Sequence, residues 1–132
     1  MALAFVVLVA GAPAGCGQPP PDLFEVSRTG DGPGADVNLV VSDGGTVSCN
    51  GAEPVALGER LLTARQLNRD LTEAAVLGLE LPPGPDPVLS YRVRLESGEV
   101  AFSDTSRQKP ASFDRLAAFV SDVSEHVCGI EH

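Results

Sequence analysis

Short runs of alternating apolar and polar residues, closed by glycine turns, restrict most strongly what this chain can fold into. In Leu23-Phe24-Glu25-Val26-Ser27-Arg28, Phe24 and Val26 fall on one face, because side chains alternate sides along a strand. Residues 29–36, with glycines at 30, 32 and 34, read as a loop. Val37-Asn38-Leu39-Val40-Val41 is the next strand, Asp43-Gly44-Gly45 a hairpin signal, and Thr46-Val47-Ser48-Cys49 a short third strand. Later, Leu89, Tyr91, Val93 and Leu95 share one side of an extended run over 88–95, and Ser97-Gly98 turns it into Val100-Ala101-Phe102-Ser103. Strands joined by such tight turns pair antiparallel.

Two segments change from the period of a strand to that of a helix. Residues 57–71 carry Leu61, Ala64, Leu67 (or Asn68) and Leu71 at helical spacing, and 72–77 either extend this helix or add a short turn. Pro82-Pro83-Gly84-Pro85 stops it, since proline removes a donor and clashes with the preceding turn. Pro110, acceptable in a first turn, opens a second helix reaching Val127, with Phe113, Leu116, Val120, Val123 and Val127 as its apolar stripe and Gly129 as terminator. The order β-β-β-α-β-β-α predicts an α+β fold: an antiparallel sheet of four to five strands with two helices on one face.

Ahead of this domain, Ala2 to Ala10 form an unbroken apolar stretch. It is shorter than the roughly 20 residues of a membrane span and has the length of a signal-peptide core. Small residues from Gly11 to Gly15 then offer a cleavage region. No Lys or Arg precedes the apolar run, so the expectation is that the natural start lies upstream. Ala14-Gly15-Cys16 resembles the bacterial lipobox, with Pro13 where an aliphatic residue is usual. That resemblance implies a leader over 1–15 and lipid attachment at Cys16. Three prolines at 19–21 favour extended geometry and predict a Pro-rich tether over 16–22, and the remaining length fits a single domain over 23–132. Cleavage after Ala12-Pro13-Ala14 is the alternative for an exported chain, and a buried helix over residues 2–10 the alternative without export.

The chain has three cysteines, an odd number for an oxidising compartment. If Cys16 carries lipid as a thioether, Cys49 and Cys128 remain as one disulfide pair and no thiol is left over. A redox pair is the other reading, against which stands the absence of the close spacing that tunes reactive thiols.

The net charge of −9, with one Lys against eight Arg, disfavours nucleic acid and anionic membranes as partners, since both require a positive stripe. Membrane association would run through the lipid instead. There is no nucleophile elbow, zinc spacing, phosphate loop or dinucleotide fingerprint in the sequence. The expectation is accordingly no catalytic residue, no metal, no cofactor and no small-molecule ligand. Gly30-Asp31-Gly32-Pro33-Gly34 with Asp36 could cradle an anion or calcium. However, a strand follows it rather than a helix, and it offers too few oxygens for calcium. Arg92 and Arg94 fall on the outer face of a strand, and His126 and His132 lie near the chain end; all four read as solvated.

Several strings resemble a group of small exported lipoproteins of GC-rich Gram-positive bacteria with no assigned activity: Val26-Ser27-Arg28-Thr29-Gly30, Asp43-Gly44-Gly45-Thr46-Val47, Leu81-Pro82-Pro83-Gly84-Pro85, Tyr91-Arg92-Val93-Arg94, Phe102-Ser103-Asp104-Thr105 and Val127-Cys128-Gly129. The layout of hairpin, Leu-rich helix, second hairpin and amphipathic helix is similar to emfourin, a protein inhibitor of thermolysin-like metallopeptidases. The third strand and the cysteine pair depart from that layout. The functional expectation is a non-enzymatic, lipid-anchored extracytoplasmic interaction module contacting a secreted or envelope protein. The alternatives are a peptidase inhibitor, soluble or anchored, and a small hydrolase.

The anchoring expectation has a direct test. Cys16→Ser, expressed from the full natural start, should release the protein into the medium or leave it unprocessed. Wild-type membrane retention at mature size, measured by fractionation and mass, contradicts lipid attachment.

Overall fold

The computed structural model describes residues 23–130, so the expectations for Cys16, the leader, the tether and His132 lie outside the described residues. The element order is β1 (Phe24–Gly30), β2 (Val37–Val41), β3 (Thr46–Cys49), β4 (Val55–Ala56), α1 (Arg60–Val76), β5 (Leu89–Leu95), β6 (Gly98–Ser103) and α2 (Ala111–His126). The strands form one antiparallel sheet in the order β4-β3-β2-β1-β5-β6. This is the α+β architecture expected, with six strands rather than four to five. The addition, β4, is two residues long and preceded by Pro54, too short for alternation to mark it.

Alternation decides which face of the sheet is covered. Phe24, Val26 and Arg28 on β1, Leu39 on β2, Tyr91 and Val93 on β5, and Val100 and Phe102 on β6 point inward and are buried. Ala64, Leu67, Leu71 and Ala75 of α1 and Phe113, Leu116, Phe119, Val120 and Val123 of α2 complete the same core. Tyr91, Phe102 and Phe113 form a ring stack with centroids 4.9 and 4.7 Å apart, and Phe24 meets Phe119 edge-on at 5.9 Å, geometries that add to simple burial.

The helices lie across the strands. Leu61, in the first turn of α1, packs beside Gly45 of the β2–β3 hairpin, and Ala75, near its end, sits over Gly98 of the β5–β6 hairpin. At Gly98 the Ala75 carbonyl occupies the space a Cβ would need, so only glycine fits there. Helix α2 returns antiparallel to α1, joined to it by Arg60–Asp122 at 2.6 Å and Arg115–Asp70 at 3.0 Å. The guanidinium of Arg60, hydrogen-bonded to Asp122, holds that carboxyl below its ordinary range.

Both sheet edges are blunted. On the β6 side, Leu81 N donates to Ala101 O at 2.8 Å and Ala101 N donates to Leu79 O at 3.0 Å. Pro82 and Pro83, which have no N–H, follow at once. On the other side stands β4 with Pro54 before it. The short β4 limits the addition of a further strand on its side, and on the β6 side the prolines leave only the outward backbone of Glu80 for one.

Two poles result. The chain enters at Leu23, whose N–H reaches Val41 O, beside the tight turns at 42–45 and 96–97. The longer connections 31–36, 50–54, 82–88 and 104–110 gather at the opposite pole.

Cys49, at the end of β3, is bridged to Cys128 just beyond α2, with Cα atoms 6.0 Å apart. The bridge closes a separation of 79 residues and fastens the last helix to the sheet's short-stranded side. Cys49→Ser should lower unfolding stability by about 2–5 kcal/mol, measured by denaturant titration of the oxidised domain. An unchanged midpoint would mean that the bridge constrains nothing the rest of the fold does not already hold.

Candidate functional site

The loop between β1 and β2 is held from beneath by a buried cation. Arg28 continues the inward side of β1 after Phe24 and Val26 and is 1% exposed. Its Nε donates to Ala35 O at 2.9 Å and a terminal nitrogen donates to Gly34 O at 3.0 Å. A buried guanidinium left without such partners would cost several kcal/mol on the order-of-magnitude scale for unpaired charge, so this loop conformation is tied to core formation. From above, Gly30 N donates to Asp36 Oδ1 at 3.1 Å and closes the loop on itself. Gly32 and Gly34 take positive φ (98° and 72°), which lets the backbone turn toward Arg28. Asp31, Gly32 and Pro33 remain exposed at the tip.

Tyr91, opposite Arg28 in the sheet register, lies beneath the same region. Burial raises the pKa of its hydroxyl above the ordinary value, while the neighbouring Arg28 charge pulls it the other way.

The uncovered face of the sheet adjoins this loop. Ser27, Thr29, Ser90 and Ala101, with Leu81 and Pro83 as a wall, border a shallow hollow of about 450 Å³. Arg92 stands in it, 3.3 Å from Glu80 and 3.5 Å from Glu99, and Arg94 pairs with Glu25 at 3.0 Å. These outer-face arginines sit on the solvated side, as the sequence indicates, but they belong to a charge lattice rather than to free solvent. Further grooves lie elsewhere on the described residues. One of about 350 Å³ runs between α1 and α2 over Leu67, Ala118 and Phe119. One of about 600 Å³ lies between the Pro82–Pro85 segment and Arg107, Gln108 and Pro110.

The residues singled out from the sequence separate as follows. Cys49 and Cys128 meet as a disulfide. The glycine cluster forms the loop above Arg28, with one oxygen of Asp36 engaged by Gly30 N. Among the described residues no group of three or more His, Cys, Asp or Glu is placed to hold a metal ion, and no helix is long and apolar enough to cross a membrane. His126 is exposed, with Nδ1 3.2 Å from Asp122 Oδ1. Arg28 is the residue sequence reasoning passed over. The signal was present: it stands two positions after Val26, on the side that period-two alternation turns inward.

Compared with protein-family models, with curated proteins and with solved structures, the chain matches none.

Arg28→Met keeps the volume and removes the donors. It should leave the sheet intact but free the loop, raising backbone amide exchange over 30–36 by about tenfold or more, the scale of a lost charge-assisted hydrogen bond. Hydrogen exchange read by mass spectrometry checks this; uniform exchange across the domain would show that Arg28 serves the whole fold rather than the loop.

Proposed function

We propose that this protein is an extracytoplasmic interaction module, lipid-anchored at Cys16, that presents its loop pole to a protein partner. The observation that carries this reading is the β1–β2 loop: its tip is exposed, while its backbone is held by Arg28 and Asp36. A surface ordered before contact loses less entropy on binding, so rigid loops contribute more affinity per contact than mobile ones. The disulfide supports an oxidising compartment. The position of the chain entry supports the orientation: a tether joined at Leu23 leaves the long loops pointing away from the membrane.

A second reading, protein inhibitor of a secreted metallopeptidase, draws on the same loop. Stoichiometric inhibition requires an exposed segment that keeps its conformation when bound, and residues 30–36 have that character. Under this reading the contact is a peptidase and the loop enters or covers its cleft.

A photo-crosslinking residue at Asp31 in the anchored protein should trap an envelope or secreted partner. The same residue at Leu62, on the outer side of α1, should not. Equal trapping at both positions, or none at Asp31, removes the β1–β2 loop as the working surface. For the inhibitor reading, the purified domain should titrate a thermolysin-like enzyme at equal molarity, and Asp31→Lys should weaken this without shifting the melting temperature.

A further inference from the structure

The groove beneath the proline segment is walled by leucines and prolines and lined by one arginine. Its walls are Leu79, Leu81, Pro82, Pro83 and Pro85 on one side and Pro110 on the other. Prolines contribute no N–H, so these walls present apolar surface and carbonyls. The single formal charge lining it is Arg107.

Arg107 is exceptional for this chain. Acidic residues outnumber basic ones 18 to 9. Arg60, Arg65, Arg92, Arg94, Arg115 and Lys109 are all engaged by carboxylates, and Arg28 by loop carbonyls. Arg107 makes no hydrogen bond or ion pair to another described residue; Arg69, on the outside of α1, is the other such arginine and lines none of the grooves described above. Pro110 is also the N-cap of α2, a helix of 16 residues that starts without a side-chain cap. Its first N–H groups therefore add partial positive charge at the same rim. Asp114 in that first turn is taken up by Lys109 at 3.1 Å.

The groove is held in shape. Ser106 Oγ donates to Pro82 O at 2.9 Å, and Asp104 accepts from Val88 N at 3.1 Å. Gly84 is pressed against the Thr105 carbonyl, where a side chain has no room. Gln108 and Asp86 hold positive φ of 59° and 52°, a backbone state that non-glycine residues adopt at a cost.

From this combination we infer that the groove receives an extended segment of a partner protein, with apolar side chains against the leucine and proline walls and a carboxylate on Arg107. The charge argument selects the occupant: a free guanidinium beside an uncapped helix start, on a molecule of net charge −9, matches an anionic group and not a basic one. The backbone of Glu80 adds directionality. Leu81 N and Leu79 O are used by Ala101, which turns the N–H and C=O of Glu80 away from β6 toward an incoming chain. This surface is separate from the β1–β2 loop and does not depend on it.

The test is a random short-peptide display library panned against the disulfide-bonded domain. Enriched sequences should pair Leu, Ile, Val or Pro with Asp, Glu or a required free carboxyl terminus. A synthetic copy of the leading peptide should shift amide resonances at 79–85 and 107–110. Arg107→Gln should weaken it by about tenfold, the scale of one charge-assisted hydrogen bond. Arg107→Lys should retain most of the affinity, and Asp31→Ala should leave it unchanged. No enrichment, a neutral or basic consensus, shifts confined to other surfaces, or equal binding by Arg107→Gln would each overturn the proposal. Acidic peptides that bind at the groove while Asp31 traps no partner would reject the β1–β2 loop and leave this site standing.

Discussion

The packing of α1 and α2 across one face of the sheet is the constraint on which the other features depend. With β1 and β5 at the centre of the sheet, their inward residues Val26 and Val93 are fully buried under the helices. Because the helices run across the strands, each covers several of them, and the two tight hairpins lie under opposite ends of α1. That crossing leaves the second face of the sheet in solvent, where Glu25, Arg92, Arg94 and Glu99 form a lattice of ion pairs instead of a second core. Such exposed pairs contribute little to stability, typically under about 1 kcal/mol each; they keep the open face soluble and ordered.

Burying an arginine within this arrangement couples the core to the β1–β2 loop. Arg28 occupies an inward position that an aliphatic residue would fill more cheaply, and its partners are carbonyls from the loop above it. The cost of desolvating the guanidinium is offset only while the loop keeps its shape. Folding the core therefore fixes the loop. The disulfide acts on a different part of the molecule, fastening α2 to β3, the strand next to the two-residue edge strand β4.

The polar network around Asp104 and Ser106 plays a comparable part on the other side of the loop pole. Hydrogen bonds to Val88 N and Pro82 O set the proline segment against the turn before α2, and the groove between them follows from that placement. Pro82 and Pro83 serve twice: they end strand-like pairing along β6 and they supply the groove's apolar wall. Both surfaces of the loop pole are thus consequences of how loops are pinned, rather than of any recognisable string of catalytic residues.

Hydropathy periodicity and the glycine turns determined the α+β class, the two hairpins and the shared faces of Phe24 with Val26 and of Tyr91 with Val93, because strand and helix periods differ and turns are local. The ends of α2 were legible too, since Pro110 and Gly129 stand within a few residues of them, whereas α1 begins at Arg60 rather than 57 and ends at Val76, before Gly78 at positive φ and ahead of the proline run. Phe119 was not legible: it flanks the apolar stripe of α2 at Leu116 and Val120, and only the approach of Phe24 from β1 brings it into the core. Tertiary structure also decided that Arg28 is caged by loop carbonyls, that Arg107 is left free, and that residues 79–81 shield the edge of β6. A sequence pattern reports which way a side chain points from its own backbone. What it meets there depends on how distant segments cross, and for a charged group that meeting sets whether it is paired, buried or available.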